Sequence, residues 1–220
     1  MQDQPISIKV TLLGNCGVGK SSIIARYKTG TFEEDYISTN GASYSQKMLN
    51  INDKVFQLDI WDTAGQEKYR SLGRNFYREA YIIILVYDIT RQDSLEGLKT
   101  IWYPDLLQYG ENYKILAVVG NKCDRYEEEE ETVSDEEARS FAKEIKAQFF
   151  FVSAKTGDNI QNLFNSLIEE YWKPNFQEKI SEDSIKRNFS YRIKPETKEE
   201  KETQKKKKKK NSVKVENKSL

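Results

Sequence analysis

The sequence predicts an α/β fold: a mostly parallel six-stranded sheet with one antiparallel edge strand and helices on both faces. Three observations carry that expectation. Apolar, β-branched segments alternate with helical ones through residues 6–173, the pattern of strand-helix-strand crossovers in a sheet covered on both sides. Only one pair of strand segments lacks a helix between them. A glycine-rich loop, GNCGVGKS at 14–21, follows the first strand and opens the first helix.

Taken in order, ISIKVTLL (6–13) has the alternation and branching of a buried strand, and 20–29 reads as the helix that follows the loop. Residues 32–44 (FEEDYISTNGASY) are polar and lack helical periodicity, so they form a connecting loop. Strands at 43–51 and 54–61 are joined by Asn52-Asp53, a turn short enough only for an antiparallel hairpin at a sheet edge. A helix is expected over 67–78, then a strand over 81–87 and a long helix over 93–109 that Pro104 should kink, because proline lacks an N–H and its ring crowds the preceding turn. A strand at 114–120 precedes the acidic loop Glu127–Glu131. Ser134 and Glu137 have capping-box spacing for a helix over 134–147. A strand at 148–153 and a helix at 159–173 complete the series.

In such sheets ligands bind beyond the carboxyl ends of the strands, and four of those ends carry a motif. The first is GxxxxGK[ST], with Gly14, Gly19, Lys20 and Ser21 in its fixed places. Its glycines let successive backbone N–H groups face an anion, and the helix N-terminus adds partial positive charge. Lys20 would bridge outer phosphates, and the Ser21 hydroxyl would ligate Mg²⁺. A plain glycine turn is the bland alternative, and the strand-loop-helix context disfavours it. The second is DTAGQ at 62–66: Asp62 can back Mg²⁺ through a water, the Gly65 N–H can reach a terminal phosphate, and Gln66 can orient an attacking water. The third is Asn121-Lys122-Cys123-Asp124, where a carboxylate offers paired acceptors to the N1–H and 2-amino donors of guanine. The fourth is Ser153-Ala154-Lys155, whose Ala154 N–H could donate to the guanine 6-oxo group.

Composition excludes several classes of function. The chain has no histidine, so imidazole catalysis is absent, and its two cysteines, Cys16 and Cys123, read as free thiols in a reducing compartment. Neither a secretory leader nor an apolar run of membrane-spanning length is visible. Formal charge is zero overall, but residues 176–220 hold 15 basic and 8 acidic side chains, a net of +7 that leaves −7 for residues 1–175. Two parts are therefore expected, a globular domain over 1–175 and a disordered basic tail over 176–220. An acidic globular part argues against nucleic acid as a partner.

The four motifs together resemble the Ras superfamily of small GTPases, with the P-loop NTPase fold, over about residues 6–173. The Rab family fits best, through YISTNGASY (36–44), IWDTAGQEKYRSL (60–72), NFYREA (75–80), LVYDIT (85–90), GNKCD (120–124) and SAKTGDNI (153–160). GAS at 41–43 and SLGRNFYRE at 71–79 look most like the early-endosomal Rabs. The resemblance implies a slow GTPase that switches between GTP and GDP with Mg²⁺, regulates vesicle traffic through effectors that bind its GTP state, and is tended by an exchange factor and a GTPase-activating protein. Gly14, Gly17, Val18, Gly19, Lys20, Ser21 and Ser22 would wrap the phosphates and Phe32 would pack on guanine. Thr39 would complete the Mg²⁺ shell with Ser21 and Asp62, and would sense the γ-phosphate with Gly65. Gln66 would position water, with Lys20 and Thr39 as its catalytic companions. Asn121, Lys122, Asp124, Ser153, Ala154 and Lys155 would form the base pocket. Tyr44, Trp61 and Phe76 occupy the places of an aromatic triad that effectors read, or else simply pack under the hairpin. A monomer is expected.

Four departures stand out. Asn40 replaces an apolar residue beside Thr39, Glu79 replaces a small residue, and Cys16 lies in the loop where Rabs carry Ser or another small side chain. The sequence also ends NSVKVENKSL without the cysteines that carry prenyl chains in Rabs, so as written it is not expected to be prenylated. Lys205 to Lys210 would instead give a solvated tail or a weak, salt-sensitive tether to an anionic leaflet, at about 1 kcal/mol per lysine, with a nuclear-import signal as the alternative ranked behind them. A cytoplasmic location, peripheral on endomembranes, follows from these features. Two other classes remain open at this stage: a non-catalytic interaction module on a nucleotide scaffold, against which the intact Lys20, Thr39, Gln66 and Asp124 argue, and an ATP-using P-loop enzyme, against which Asp124 argues.

Overall fold

In a computed structural model of the chain, residues 4–34, 39, 42–51, 54–63, 76, 78–110, 113–127 and 132–173 are described. Six strands, β1 (Ile6–Leu13), β2 (Ala42–Ile51), β3 (Lys54–Thr63), β4 (Ile82–Asp88), β5 (Ile115–Asn121) and β6 (Gln148–Val152), form one sheet in the order β2-β3-β1-β4-β5-β6. β2 pairs antiparallel with β3, from Ala42 opposite Thr63 to Ile51 opposite Lys54, and every other pairing is parallel. The fold is the one expected, with the antiparallel strand at the edge. The reversal of chain order between β3-β1 and β1-β4 opens the crevice into which the loop after β1 projects.

Burial explains the strand sequences. β4 (IIILVYD) and β5 (ILAVVGN) are buried along their whole length, so they read as continuous apolar runs, whereas β3 alternates buried and partly exposed positions. Helices α1 (Lys20–Thr29), α4 (Asp135–Glu144) and α5 (Ile160–Trp172) cover the sheet. Tyr27 of α1 stacks on Phe164 of α5, with ring centroids 3.7 Å apart and planes 12° from parallel. That contact joins the first and last helices of the described domain and fixes the direction in which α1 leaves the glycine loop.

The expected helix over 93–109 is broken into three pieces. α2 (Gln92–Gly97) passes into a π-turn at Leu98–Trp102 and then into α3 (Tyr103–Tyr109). Pro104 accounts for it: in a regular helix its ring would meet the carbonyl of Thr100, and the wider turn, with the Tyr103 N–H bonded to the Leu98 carbonyl five residues back, relieves the clash. The Ser134 cap forms, accepting from the Glu137 N–H at 3.4 Å. Glu137 does not complete the box, because its carboxylate is taken by Lys99 and Gln92.

Glu79 has a physical explanation. It lies at φ 62°, a left-handed conformation that a glycine adopts freely and an L side chain only at a cost of about 1–2 kcal/mol. The helix expected over 67–78, apart from Phe76 and Arg78, the Asn52-Asp53 turn, and the tail over 176–220 lie outside the described residues.

Because Phe164 is 1% exposed and carries the α1–α5 stack, Phe164→Ala is expected to cost about 3–5 kcal/mol of stability. Urea unfolding of the variant, compared with the unmodified chain, checks this.

Candidate functional site

The glycine loop owes its path to positions that cannot carry a side chain. Gly19 has φ 94°, and a Cβ there would stand 2.2 Å from Asn121 Nδ2; Gly14 has φ 148°, and its Cβ would stand 2.1 Å from the Val86 carbonyl oxygen. The loop thus lies directly on the ends of β4 and β5. Lys20, 5% exposed, folds back along it, and its ammonium donates to the carbonyls of Gly14 (2.8 Å) and Asn15 (3.0 Å). Burial pulls this ammonium down to about 8, against the raising influence of nearby Asp62. A phosphate brought between them would supply the counter-charge that carbonyl dipoles only approximate.

Three segments far apart in sequence meet at the start of α1. Ser21 Oγ lies 2.8 Å from Thr39 Oγ1 and donates to Asp62 Oδ2 at 2.5 Å, while Thr39 Oγ1 donates to the same oxygen at 3.3 Å. Asp62 is 4% exposed and its second oxygen, Oδ1, is buried with no hydrogen-bond partner. Burial therefore raises its pKa, with Ser21, Lys20 and Thr39 pulling the other way. An orphaned carboxylate oxygen beside two hydroxyls is a hard, all-oxygen donor set, and it fits a small divalent cation such as Mg²⁺ that keeps part of its water.

The base end is built around Asn121, 1% exposed at the tip of β5. Its amide nitrogen donates to the Val18 carbonyl at 2.8 Å, and its oxygen accepts from the Ala154 N–H at 3.2 Å. The Ala154 donor is thus already engaged, and a base oxygen placed there would share or displace it. Asp124 is held by Ser153, whose Oγ donates to Asp124 Oδ1 at 2.5 Å. Lys122 sits at φ 69° and its ammonium lies 2.5 Å from Asp88 Oδ2, an ion pair with one buried partner. The Asp124 carboxylate is in this way braced by a serine, and Lys122 beside it by a buried aspartate.

Of the sequence-predicted residues, Gly14, Gly17, Val18, Gly19, Lys20, Ser21, Thr39, Asp62, Asn121, Lys122, Asp124, Ser153 and Ala154 are gathered at these strand ends. Ser22 continues α1, Phe32 is half-buried in the segment after it, and Lys155 is exposed and takes part through its carbonyl. Gly65, Gln66 and Asn40 lie outside the described residues. The aromatic triad is contiguous: Tyr44 lies 5.1 Å from Trp61, and Trp61 5.0 Å from Phe76, with Tyr44 51% exposed.

Arg26 is among the residues that escaped the sequence reading. Arg26, in the last turn of α1, donates through Nε to the Ala154 carbonyl at 2.8 Å, through Nη1 to the Gly30 carbonyl at 2.5 Å, and through Nη2 to the Lys155 carbonyl. A single guanidinium ties α1, the start of the following segment and the Ala154-Lys155 turn together. Its only sequence signal is a basic residue near a helix C-terminus, which any helix could carry.

Comparison with known proteins decides the family: the Ras family pattern matches residues 9–173. The chain belongs to the Ras family. Among its relatives, the GTP-binding protein YPT1 of Saccharomyces cerevisiae is 35% identical over 81% of this chain and 85% of its own. Ras-related protein RABC1 of Arabidopsis thaliana is 42% identical over 73% of this chain and 74% of its own, and human Ras-related protein Rab-30 is 38% identical over 76% and 81%. The chain is thus a small GTPase with Rab-family relatives and a GTP hydrolase, which answers the open choice between a GTPase, an ATP-using enzyme and a non-catalytic module. Among the described residues of this GTPase, no helix is long and apolar enough to cross a membrane.

Cys123 of the GTPase should be slow to react. Burial and the neighbouring carboxylates of Asp158 and Asp124 push the Cys123 thiol up to about 11, so about one molecule in a thousand carries the thiolate at pH 8. In a Cys16→Ser variant, alkylation by iodoacetamide at pH 8 is expected to run at least about tenfold slower than for a free cysteine peptide, and to accelerate about tenfold per pH unit towards pH 11. A rate equal to the peptide's would contradict the environment assigned to Cys123.

Proposed function

We propose that this Ras-family GTPase is a Rab-type switch in vesicle traffic, one that binds effectors in its GTP state, with its likeness in GAS and SLGRNFYRE pointing to the early-endosomal branch. The observation that carries the switch is the meeting of Ser21, Thr39 and Asp62. Thr39 comes from the segment between α1 and β2, and among the described residues it meets Ser21 and Asp62, groups that a metal would also touch. Loss of that phosphate removes the tether of the loop, and a segment released in this way is the usual output of a nucleotide switch.

In this reading the loop from Gly14 to Ser22 holds the phosphates, with Lys20 as the mobile positive charge. Ser21 and Thr39 would hold Mg²⁺, with Asp62 behind them, and the ion when bound supplies charge neutralisation at the β- and γ-phosphates. Gln66 orients a water for in-line attack on the γ-phosphate, and Gly65 donates its N–H to the same group. Asn121, Lys122 and Asp124 read guanine, braced by Ser153, Ala154 and Lys155, with Phe32 against the ring. An activating partner that supplies an arginine would accelerate hydrolysis by roughly 10³ to 10⁵. An exchange factor would promote release of the bound nucleotide. Effectors would meet Tyr44, Trp61 and Phe76. The basic tail with Lys205 to Lys210 would add a weak electrostatic contact to the cytoplasmic face of endomembranes, and the domain over 1–175 would act as a monomer.

Gln66→Leu is expected to bind GTP normally and to lower single-turnover hydrolysis at least about tenfold, because it removes the water-orienting group. Ser21→Asn is expected to lose GTP in preference to GDP. In cells the first should gather on vesicles and the second should spread through the cytosol. Unchanged hydrolysis in Gln66→Leu would sink the catalytic assignment, and identical distributions of the two would sink the trafficking role.

A further inference from the structure

The glycine loop is also held from behind, by side chains that belong to none of the four motifs. Trp102 Nε1 donates to Asn15 Oδ1 at 2.8 Å, and Asn15 Nδ2 donates to the Asp93 carbonyl at 3.3 Å. Arg91 Nη1 donates to the Cys16 carbonyl at 3.1 Å. The guanidinium is itself clamped by Asp93, Nε to Oδ1 at 3.2 Å and Nη2 to Oδ2 at 2.6 Å. Asn15 comes this close because residue 97 is glycine: a Cβ there would stand 2.5 Å from Asn15 Oδ1 and 2.6 Å from Nδ2. The outer half of the loop therefore rests on the helical segment 91–102 at two separate points.

The π-turn explains how Trp102 gets there. It spends one more residue per turn than an α-helix, so everything after its start is rotated relative to a regular continuation. Trp102 closes that turn, is 4% exposed and finds in Asn15 an acceptor for an indole N–H that burial would otherwise leave unpaired. Pro104, which forces the turn, is thus linked by two covalent steps to a hydrogen bond on the nucleotide loop.

We propose that Asn15, Arg91 and Trp102 are positioning residues for the nucleotide diphosphate. They set the conformation of the Asn15-Cys16-Gly17 stretch from its outer side, so that the loop N–H groups are aimed before the phosphates arrive and part of the ordering cost is met by the fold rather than by the ligand. The proposal rests on the reading that this loop holds the diphosphate. Arg91 also places a cationic group next to the loop: a Cβ on Gly17 would stand 3.6 Å from Nη1.

The test uses the full chain loaded with a fluorescent GDP analogue for release rates, and with GDP for phosphorus NMR. Trp102→Phe and Asn15→Ala are each expected to speed GDP release about three- to tenfold, the effect of one hydrogen bond. The double variant should be no faster than the faster single, since both remove the same bond. Arg91→Ala should speed release by a similar factor, multiplicative with either. In all three the β-phosphate resonance of bound GDP should shift while the α-phosphate resonance stays. Release at the unmodified rate, an unmoved β-phosphate resonance despite a lowered Tm, or a double variant as fast as the product of the singles would overturn the proposal. Failure of the unmodified chain to bind GDP would instead overturn the reading of the loop on which it rests.

Discussion

The amide of Asn121 is the interaction on which the rest of the site depends. It sits at the end of β5, buried to 1% exposure, and satisfies the Val18 carbonyl on one side and the Ala154 N–H on the other. Both of those groups are main-chain atoms of loops that approach from opposite directions. A buried backbone group left unpaired costs about 1–3 kcal/mol, so loss of this one side chain would expose two such penalties at once. The spacing it enforces is also steric: the lack of a side chain on Gly19 is what lets the amide reach the loop. The phosphate end and the base end therefore cannot move independently, and Arg26 repeats the coupling from the far end of α1.

Electrostatics explain why such a site is poised for its ligands rather than for stability. Burial lowers the Lys20 ammonium to about 8 and raises the Asp62 carboxyl, which means that both charged forms are disfavoured by the protein alone. Lys20 leans on carbonyls and Asp62 on hydroxyls, and among the described residues neither makes a direct ion pair. A phosphate and a divalent cation would relieve the two at once. Their binding would then offset a desolvation cost already built into the fold.

Much of this was legible in the sequence, for reasons that differ by element. The strands could be read because burial on both faces makes β4 and β5 continuous apolar runs, and the strand ends could be read because glycine and paired polar groups are needed there by chemistry rather than by packing. What could not be read were contacts set by tertiary geometry. Arg26 and Arg91 look like any surface arginine, and Asn15 and Trp102 lie 87 residues apart. Glu137 has the spacing of a capping box, yet its carboxylate goes to Lys99 and Gln92 because those side chains arrive from α2 and the π-turn, which no local pattern foretells. Glu79 appeared only as a departure from a family pattern until its φ of 62° showed what the small residue had been for.

Pro104 shows how far one such local feature can reach. Its missing N–H and its ring would weaken a continuous helix, and a kink is the response that sequence reasoning favours. The chain widens one turn ahead of the proline and buries there an indole whose N–H then requires an acceptor. Asn15 is that acceptor, and it can approach only because Gly97 leaves room. Proline, glycine, tryptophan and asparagine thus form one dependent chain of constraints ending on the loop that opens the nucleotide site. Each is unremarkable alone, and the constraint exists only in their sum.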